Sequence, residues 1–240
     1  MVGRVSTIAA LIAFLVGLSV ATFSEMRIFL PALLSGAVVT LQVSVLAALV
    51  FYVSAFVAGV CKSSRNRAAR WTATVYVEVF RGTSLLVQLF WFFFVLPEFG
   101  IVLSPMVAGV LGVGLNFGAY GAEIVRGALI AVPKGQHEAC IALNIPRWKR
   151  MVRIVIPQAV PIMIPGLGNL TIEMIKATAV VSAVTLVDIT YASVQQNQLH
   201  YRTIEIFLVT LLLYYCFSQL VRMGAAILED RSKRHLARRA

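Results

Sequence analysis

Residues 137–157, HEACIALNIPRWKRMVRIVIP, form a polar and basic interruption in a chain that is otherwise dominated by apolar residues. The pattern predicts a short helix that begins at Pro133 or just after it, because proline is favoured at the first helical position. We expect this helix to end at Asn144, because asparagine tolerates the left-handed conformation found at helix ends. Pro146 then blocks any continuation.

The predicted helix would carry a small apolar face. Ala139, Ala142 and Leu143 recur at the spacing of one helical face, and Glu138 is placed in the first turns, where the helix dipole favours carboxylates. Two interpretations follow equally well from these residues. The helix can dock into a partner protein, or it can rest on the protein's own surface.

Around this segment the composition is that of a membrane protein. The 240 residues are 60% hydrophobic and 13% charged, with a mean hydropathy of +0.87, whereas soluble domains are about a quarter charged. A helix needs about 20 apolar residues to cross a bilayer. The sequence therefore predicts an all-α polytopic membrane protein with about six spans, at the uncharged runs 5–24, 28–61, 82–97, 99–122, 154–172 and 206–221.

The net charge of +11 is concentrated in three clusters, within 62–70, 134–153 and 231–239. The turns between them, near Glu98 and over 188–205, are poor in lysine and arginine. This alternation follows the positive-inside rule, so we expect the three clusters and both termini to be cytoplasmic. No folded aqueous face is long enough for nucleic-acid binding.

The chain divides into three predicted parts. Residues 1–24 are expected to form an N-terminal transmembrane helix, although Ser19-Val20-Ala21 also fits the cleavage site of a signal peptide. Residues 25–228 form the main membrane domain, including the loop 133–157, and residues 229–240 form a basic cytoplasmic tail.

One span carries a row of small residues. Gly114, Gly118 and Ala122 lie four residues apart, which allows two helices to approach closely in lipid. The row predicts packing within the chain, and a dimer seam is the alternative.

Sites for catalysis, metals or cofactors are not predicted. The sequence has no GxxxxGK[ST] phosphate-binding loop. Its three cysteines form no CxxC pair, and its three histidines lack metal-ligand spacing.

Two opposite charges follow the span that contains Pro157, Pro161 and Pro165. Glu173 and Lys176 are spaced so that they can neutralise each other on one helix face. Charges at this depth are costly, and such groups usually face the interior and carry a function. The alternative is therefore that Glu173 and Lys176, with Asn169, line a route for a zwitterionic solute.

The quoted segment also resembles a known family motif. Glu138-Ala139, Asn144 and Ile154-x-Ile156-Pro157 follow the EAA loop of ABC-importer membrane subunits, EAA-x3-G-x9-I-x-L-P, with the spacing kept throughout. The departures from the motif are conservative: Cys140 replaces alanine, Asn144 replaces glycine and Ile156 replaces leucine.

Further segments resemble the polar amino-acid uptake branch of this family, and within it the ectoine and hydroxyectoine permease subunits. The resemblance covers roughly residues 36–190. It rests on GAVVTLQVSVLAAL, YVEVFRGTSLLVQLFWFFFVLPEFG, NFGAYGAEIVRGALIAVPKGQHEA and VIPQAVPIMIPGLGNLTIEMIKAT.

The resemblance implies a type I ABC importer transmembrane domain in the cell inner membrane. Its partners would be cytoplasmic ATP-binding subunits, a second permease subunit, identical or homologous, and a periplasmic or surface solute-binding protein. The predicted helix would be the coupling helix, with Glu138, Ala139, Ala142, Leu143 and Asn144 contacting the ATPase. The substrate would be an amino acid or an ectoine-type solute.

Transporters and channels without an ATPase partner are the alternative. A secondary transporter of this kind needs a mirrored second half, and a channel needs a filter loop or polar ring; the sequence contains neither. A membrane enzyme needs convergent titratable groups, and the only candidates, Glu173, Lys176 and Asp188, fit the lining of a pathway better.

Overall fold

Helices make up all the regular secondary structure in the part of the chain that the computed structural model describes, residues 23–237. The α-helices are α1 (Phe23–Lys62), α2 (Arg67–Gly82), α3 (Leu85–Phe90), α4 (Pro105–Ala131), α5 (Lys134–Ala142), α6 (Arg147–Arg150), α7 (Ile156–Ala177), α8 (Ile189–His200) and α9 (Thr203–Ala237). A π-helical turn and a 3-10 turn, Trp91–Val95 and Leu96–Phe99, extend α3. Another π-helical turn, Met151–Val155, joins α6 to α7, and a 3-10 segment, Thr178–Val184, extends α7.

Four stretches of the described residues are long and apolar enough to cross a membrane: 27–62, 105–131, 147–184 and 203–227. A fifth span exists if α2 and the extended α3 count as one. The prediction of a polytopic α-helical domain is therefore confirmed. The predicted N-terminal helix falls almost entirely on residues 1–22, which lie outside the described part, and α9 continues into the predicted tail.

The predicted span 82–97 corresponds to the extended α3, which follows α2 at an angle of 107°. The bend frees backbone carbonyls that apolar surroundings cannot satisfy. The amide nitrogen of Gln88 donates to the Phe80 carbonyl (2.9 Å) and to the Thr83 hydroxyl (2.7 Å). Asn116 of α4 donates to the same carbonyl and to the side-chain oxygen of Gln88, both at 3.1 Å. Two amide side chains therefore hold the bend.

The predicted end of the next span, at residue 122, is wrong, because α4 runs on to Ala131. Glu123 should interrupt a span, but its carboxylate is neutralised. One oxygen accepts from the Lys62 ammonium at the end of α1, and the other accepts from Arg126 Nε at 2.8 Å. The paired charges allow the helix to continue.

The α1–α4 contact is built on glycines. A Cβ on Gly114 would lie 2.6 Å from Val50 Cβ, and one on Gly121 would lie 2.7 Å from Ala55 Cβ. A Cβ on Gly59 of α1 would lie 2.8 Å from the Ala122 carbonyl oxygen. The small-residue row therefore packs within the chain, as predicted, rather than at a dimer seam.

Gly114→Ala should lower the apparent melting temperature of the detergent-purified protein. The added methyl group meets a β-branched side chain that cannot move without its helix, and such overpacking costs about 1–3 kcal/mol. The matched control is Gly127→Ala in the same helix, where nothing lies within 4 Å of the added Cβ. Alanine there should be neutral or stabilising, and equal melting temperatures for the two variants would contradict this packing.

Candidate functional site

The short helix α5 has the end that the sequence predicts. Asn144 is left-handed, with φ of 51°. Its N–H donates to the Ile141 carbonyl (2.9 Å), and the Ile145 N–H donates to the Cys140 carbonyl (2.9 Å). These two bonds form a Schellman motif, which satisfies carbonyls that the helix leaves open. The end of α5 is therefore fixed by local hydrogen bonds.

Most of α5 is exposed, including Glu138, Ala139, Ala142, Leu143 and Asn144. Cys140 is the exception, at 3% exposed, so one side of the helix is anchored to the protein. The Gln158 amide of α7 adds a long hydrogen bond to Gln136 (3.4 Å). The interpretation that the apolar face rests on the protein's own surface does not hold in this structure, because that face is open.

Two details of α5 differ from the sequence prediction. Glu138 is the fifth residue of the helix, and the first turn contains no acidic residue. The dipole effect decays within the first turn, so it contributes little at Glu138. The sequence argument also missed Ile141, which is 64% exposed; Leu143, just after the helix, is 73% exposed. Together these side chains give α5 an apolar surface that is open to a partner.

The candidate pathway residues share one exposed face of α7. Asn169, Glu173 and Lys176 are all exposed, and their spacing of four and three residues places them in one row. On the other side of α7, the Thr171 hydroxyl hydrogen-bonds with Tyr52 OH at 2.7 Å, and Met174 is buried.

The predicted ion pair between Glu173 and Lys176 is absent from the described residues, where the ion pairs formed involve other side chains. Both residues are exposed on the surface of α7. Both charges therefore remain available to a partner or a solute.

The three prolines at residues 157, 161 and 165 do not break α7, which is continuous over Ile156–Ala177. A π-helical turn, Met151–Val155, immediately precedes them. Such turns take up the misfit where a proline ring would clash with the carbonyl four residues earlier. The prolines therefore shape the entry to α7, and the pathway row follows on a regular helix.

Asp188 is a structural residue rather than part of a lining. It is buried and caps α8, with one carboxylate oxygen accepting from the Tyr191 N–H at 2.8 Å. The other oxygen accepts from Tyr214 OH at 3.1 Å. Burial raises the pKa of the Asp188 carboxyl above its usual value. Within the described residues, no three His, Cys, Asp or Glu side chains lie close enough to hold a metal ion.

A family model, related permeases and a solved structure all match this chain. Residues 51–234 match the family described as binding-protein-dependent transport system inner membrane component. The probable amino-acid ABC transporter permease protein y4tF of Sinorhizobium fredii is 41% identical over 84% of this chain and 87% of its own. The arginine transport system permease protein ArtQ of Bacillus subtilis is 34% identical over 78% of this chain and 85% of its own.

A solved structure shows the same architecture. The crystal structure of an amino acid ABC transporter with histidines superposes with a TM-score of 0.80 and 31% identity. The superposition covers 88% of this chain and 99% of the other.

Proposed function

Because this chain belongs to the family of binding-protein-dependent transport system inner membrane components, we propose that it forms the membrane pathway of an ATP-driven importer for amino acids. It is a permease subunit of an ABC importer, and ATP hydrolysis belongs to separate partner chains. Membership of this family excludes the alternative of a secondary transporter or channel that works without an ATPase.

The proposed mechanism is alternating access by rigid-body movement. The pathway would lie between this chain and a second permease subunit, identical or homologous. The ATPase subunits would hold α5 of each permease in a groove, through Glu138, Ala139, Ala142, Leu143 and Asn144. Closure of the ATPases on ATP would then move the spans toward the outward-facing state, and a binding protein outside the membrane would deliver the substrate.

The proposal of an amino-acid substrate rests on the two exposed charges of Glu173 and Lys176. An amino acid has one cationic and one anionic group, and hydrogen bonds to charged groups contribute about 1.5–3 kcal/mol each. Lys176 can receive the carboxylate of the solute, Glu173 its ammonium group, and Asn169 can hydrogen-bond with either. The relatives reported above are named as amino-acid and arginine permeases, which supports the same class.

The narrower proposal, an ectoine-type substrate, rests only on the resemblance of the sequence. Ectoine is a cyclic zwitterion and would satisfy the same two charges. Isothermal titration of the partner binding protein with amino acids and with ectoine distinguishes an amino-acid substrate from an ectoine-type substrate. We expect tight binding of an amino acid. High affinity for a sugar or a metal chelate, with none for either zwitterion, would contradict the substrate class.

The orientation in the inner membrane is part of the proposal, with both termini in the cytoplasm. The three basic clusters and α5 would then lie on the cytoplasmic side. The turn near Glu98 and the helix α8 would lie on the outer side.

Single cysteines should report this orientation. The natural cysteines, Cys61, Cys140 and Cys216, are first replaced by serine or alanine. New cysteines at 62–70, 134–150 and 231–240 should resist a membrane-impermeant thiol reagent in intact cells, whereas those at 98–100 and 192–200 should react. Protection at 192–200, with labelling at 134–150, would reverse the proposed topology.

A further inference from the structure

A basic cleft lies where two spans end at the same face of the protein. The carboxyl end of α1 and the loop after it form one side, and α6 with its following π-helical turn forms the other. The cleft has a volume of about 580 Å³, which is within the range of small-molecule sites. Its lining combines Arg65, Arg147 and Arg150 with the hydroxyl groups of Ser63 and Ser64.

The three arginines are unneutralised. The residues that line the cleft include no acidic side chain. The ion pairs within the described part of the chain do not involve these arginines. Lys62, immediately before the cleft, is by contrast 12% exposed and bound to Glu123. Three guanidinium groups around one concave space attract an anion, and the guanidinium fork matches the oxygen atoms of a phosphate group.

The floor of the cleft is apolar. Val60, Met151 and Val155 line it. Val155 belongs to a buried hydrophobic cluster, and the partly buried Val60 and Met151 pack against that cluster. Trp148, which also lines the cleft, is exposed, and tryptophan is enriched at the level of lipid headgroups. The ligand that fits is therefore anionic at one end and apolar at the other.

We propose that this cleft binds the headgroup of an anionic phospholipid. The phosphodiester lies between Arg65, Arg147 and Arg150, with Ser64 as a further donor, and the first part of the acyl chains lies against Val60 and Met151. Basic pockets between spans at the cytoplasmic face are a known setting for such lipids. This proposal does not depend on which solute the protein carries.

Two other ligands share part of this chemistry. Inorganic phosphate would satisfy the arginines but leave the apolar floor open to water. An acidic segment of an ATPase subunit would likewise pair with the arginines and leave the apolar floor unused. The lipid is the ligand that uses both halves of the cleft.

The test counts phosphatidylglycerol bound to the full-length chain in detergent by native mass spectrometry. The variant carries Arg65→Gln, Arg147→Gln and Arg150→Gln. Each cation near an anionic lipid contributes a factor of about five, so we expect an affinity about 100-fold weaker. The matched control, Lys134→Gln with Lys149→Gln and Arg153→Gln, removes the same charge from residues outside the cleft and should bind phosphatidylglycerol nearly as the natural chain does.

Several results would overturn the proposal. They are unchanged binding in the cleft variant, an equal loss in the control variant, equal binding of phosphatidylcholine, and displacement of the lipid by inorganic phosphate at the same concentration. Retained lipid binding together with loss of the ATPase subunits on purification would assign the cleft to the protein interface instead.

A second measurement keeps all three arginines. Trp71→Phe and Trp91→Phe leave Trp148 as the one tryptophan of the chain. Its fluorescence should be quenched more strongly by brominated phosphatidylglycerol than by brominated phosphatidylcholine at equal content in nanodiscs. Equal quenching would contradict a selective site.

Discussion

Glu138→Lys should strongly reduce substrate uptake by the assembled importer while ATP hydrolysis continues. The side chain is exposed in the middle of α5, so charge reversal would change the proposed contact with the ATPase without touching the core of the permease. Like charges brought together at an interface cost several kcal/mol, and 1.4 kcal/mol is already a factor of ten. Uptake per ATP hydrolysed in proteoliposomes should therefore fall at least about tenfold.

Ala139→Trp should uncouple the complex in the same way, through steric misfit in the proposed ATPase groove. Ala139→Ser and Glu138→Gln are the matched controls, because they keep the size of each side chain; they should retain most of the coupling. Normal uptake by both Glu138→Lys and Ala139→Trp, at normal membrane levels, would remove α5 from the coupling mechanism.

Exchange of the two pathway charges, Glu173→Lys with Lys176→Glu, should reduce uptake about tenfold or more. The exchange keeps the net charge and the composition of the helix. If the two residues contact the solute as proposed, the exchange presents the wrong charge to each end of a zwitterion and removes at least one charged hydrogen bond of about 1.5–3 kcal/mol. Uptake by the reconstituted complex measures the effect, and size-exclusion chromatography checks the assembly.

The matched control is the exchange of Arg202 and Glu205, which have the same spacing and form an ion pair at 3.4 Å. A structural pair should tolerate exchange, so this variant should transport normally. Unchanged uptake after the Glu173–Lys176 exchange would show that those two residues have only a structural role.

The sequence predicted correctly those features that depend on residues close together in the chain. The end of α5 follows from the backbone preferences of Asn144 and Pro146, and the spans follow from runs of apolar residues. It failed where distant residues decide the outcome. The extension of α4 past Glu123 depends on Lys62, which is 61 residues away. The bend after α2 depends on hydrogen bonds of Gln88 and Asn116, and the length of an uncharged run does not reveal such bonds.

The candidate site was predictable to the same extent. The spacing of Asn169, Glu173 and Lys176 places them on one helical face, as the structure has them. Whether the two charges pair with each other is decided by side-chain direction, which the spacing alone leaves open, and here they do not pair. The exposure of Ile141 likewise depends on how Cys140 is buried, which is set by the packing of α5 against the rest of the protein.

Uptake of a radiolabelled amino acid into proteoliposomes tests the central proposal most directly. The vesicles contain this permease with its second permease and ATPase subunits, and the binding protein is added outside. We predict accumulation of the amino acid that requires hydrolysable ATP inside the vesicles and stops when the ATPase subunits are left out. Accumulation driven by an ion gradient without ATP, or ATP-dependent uptake that excludes amino acids, would contradict the account.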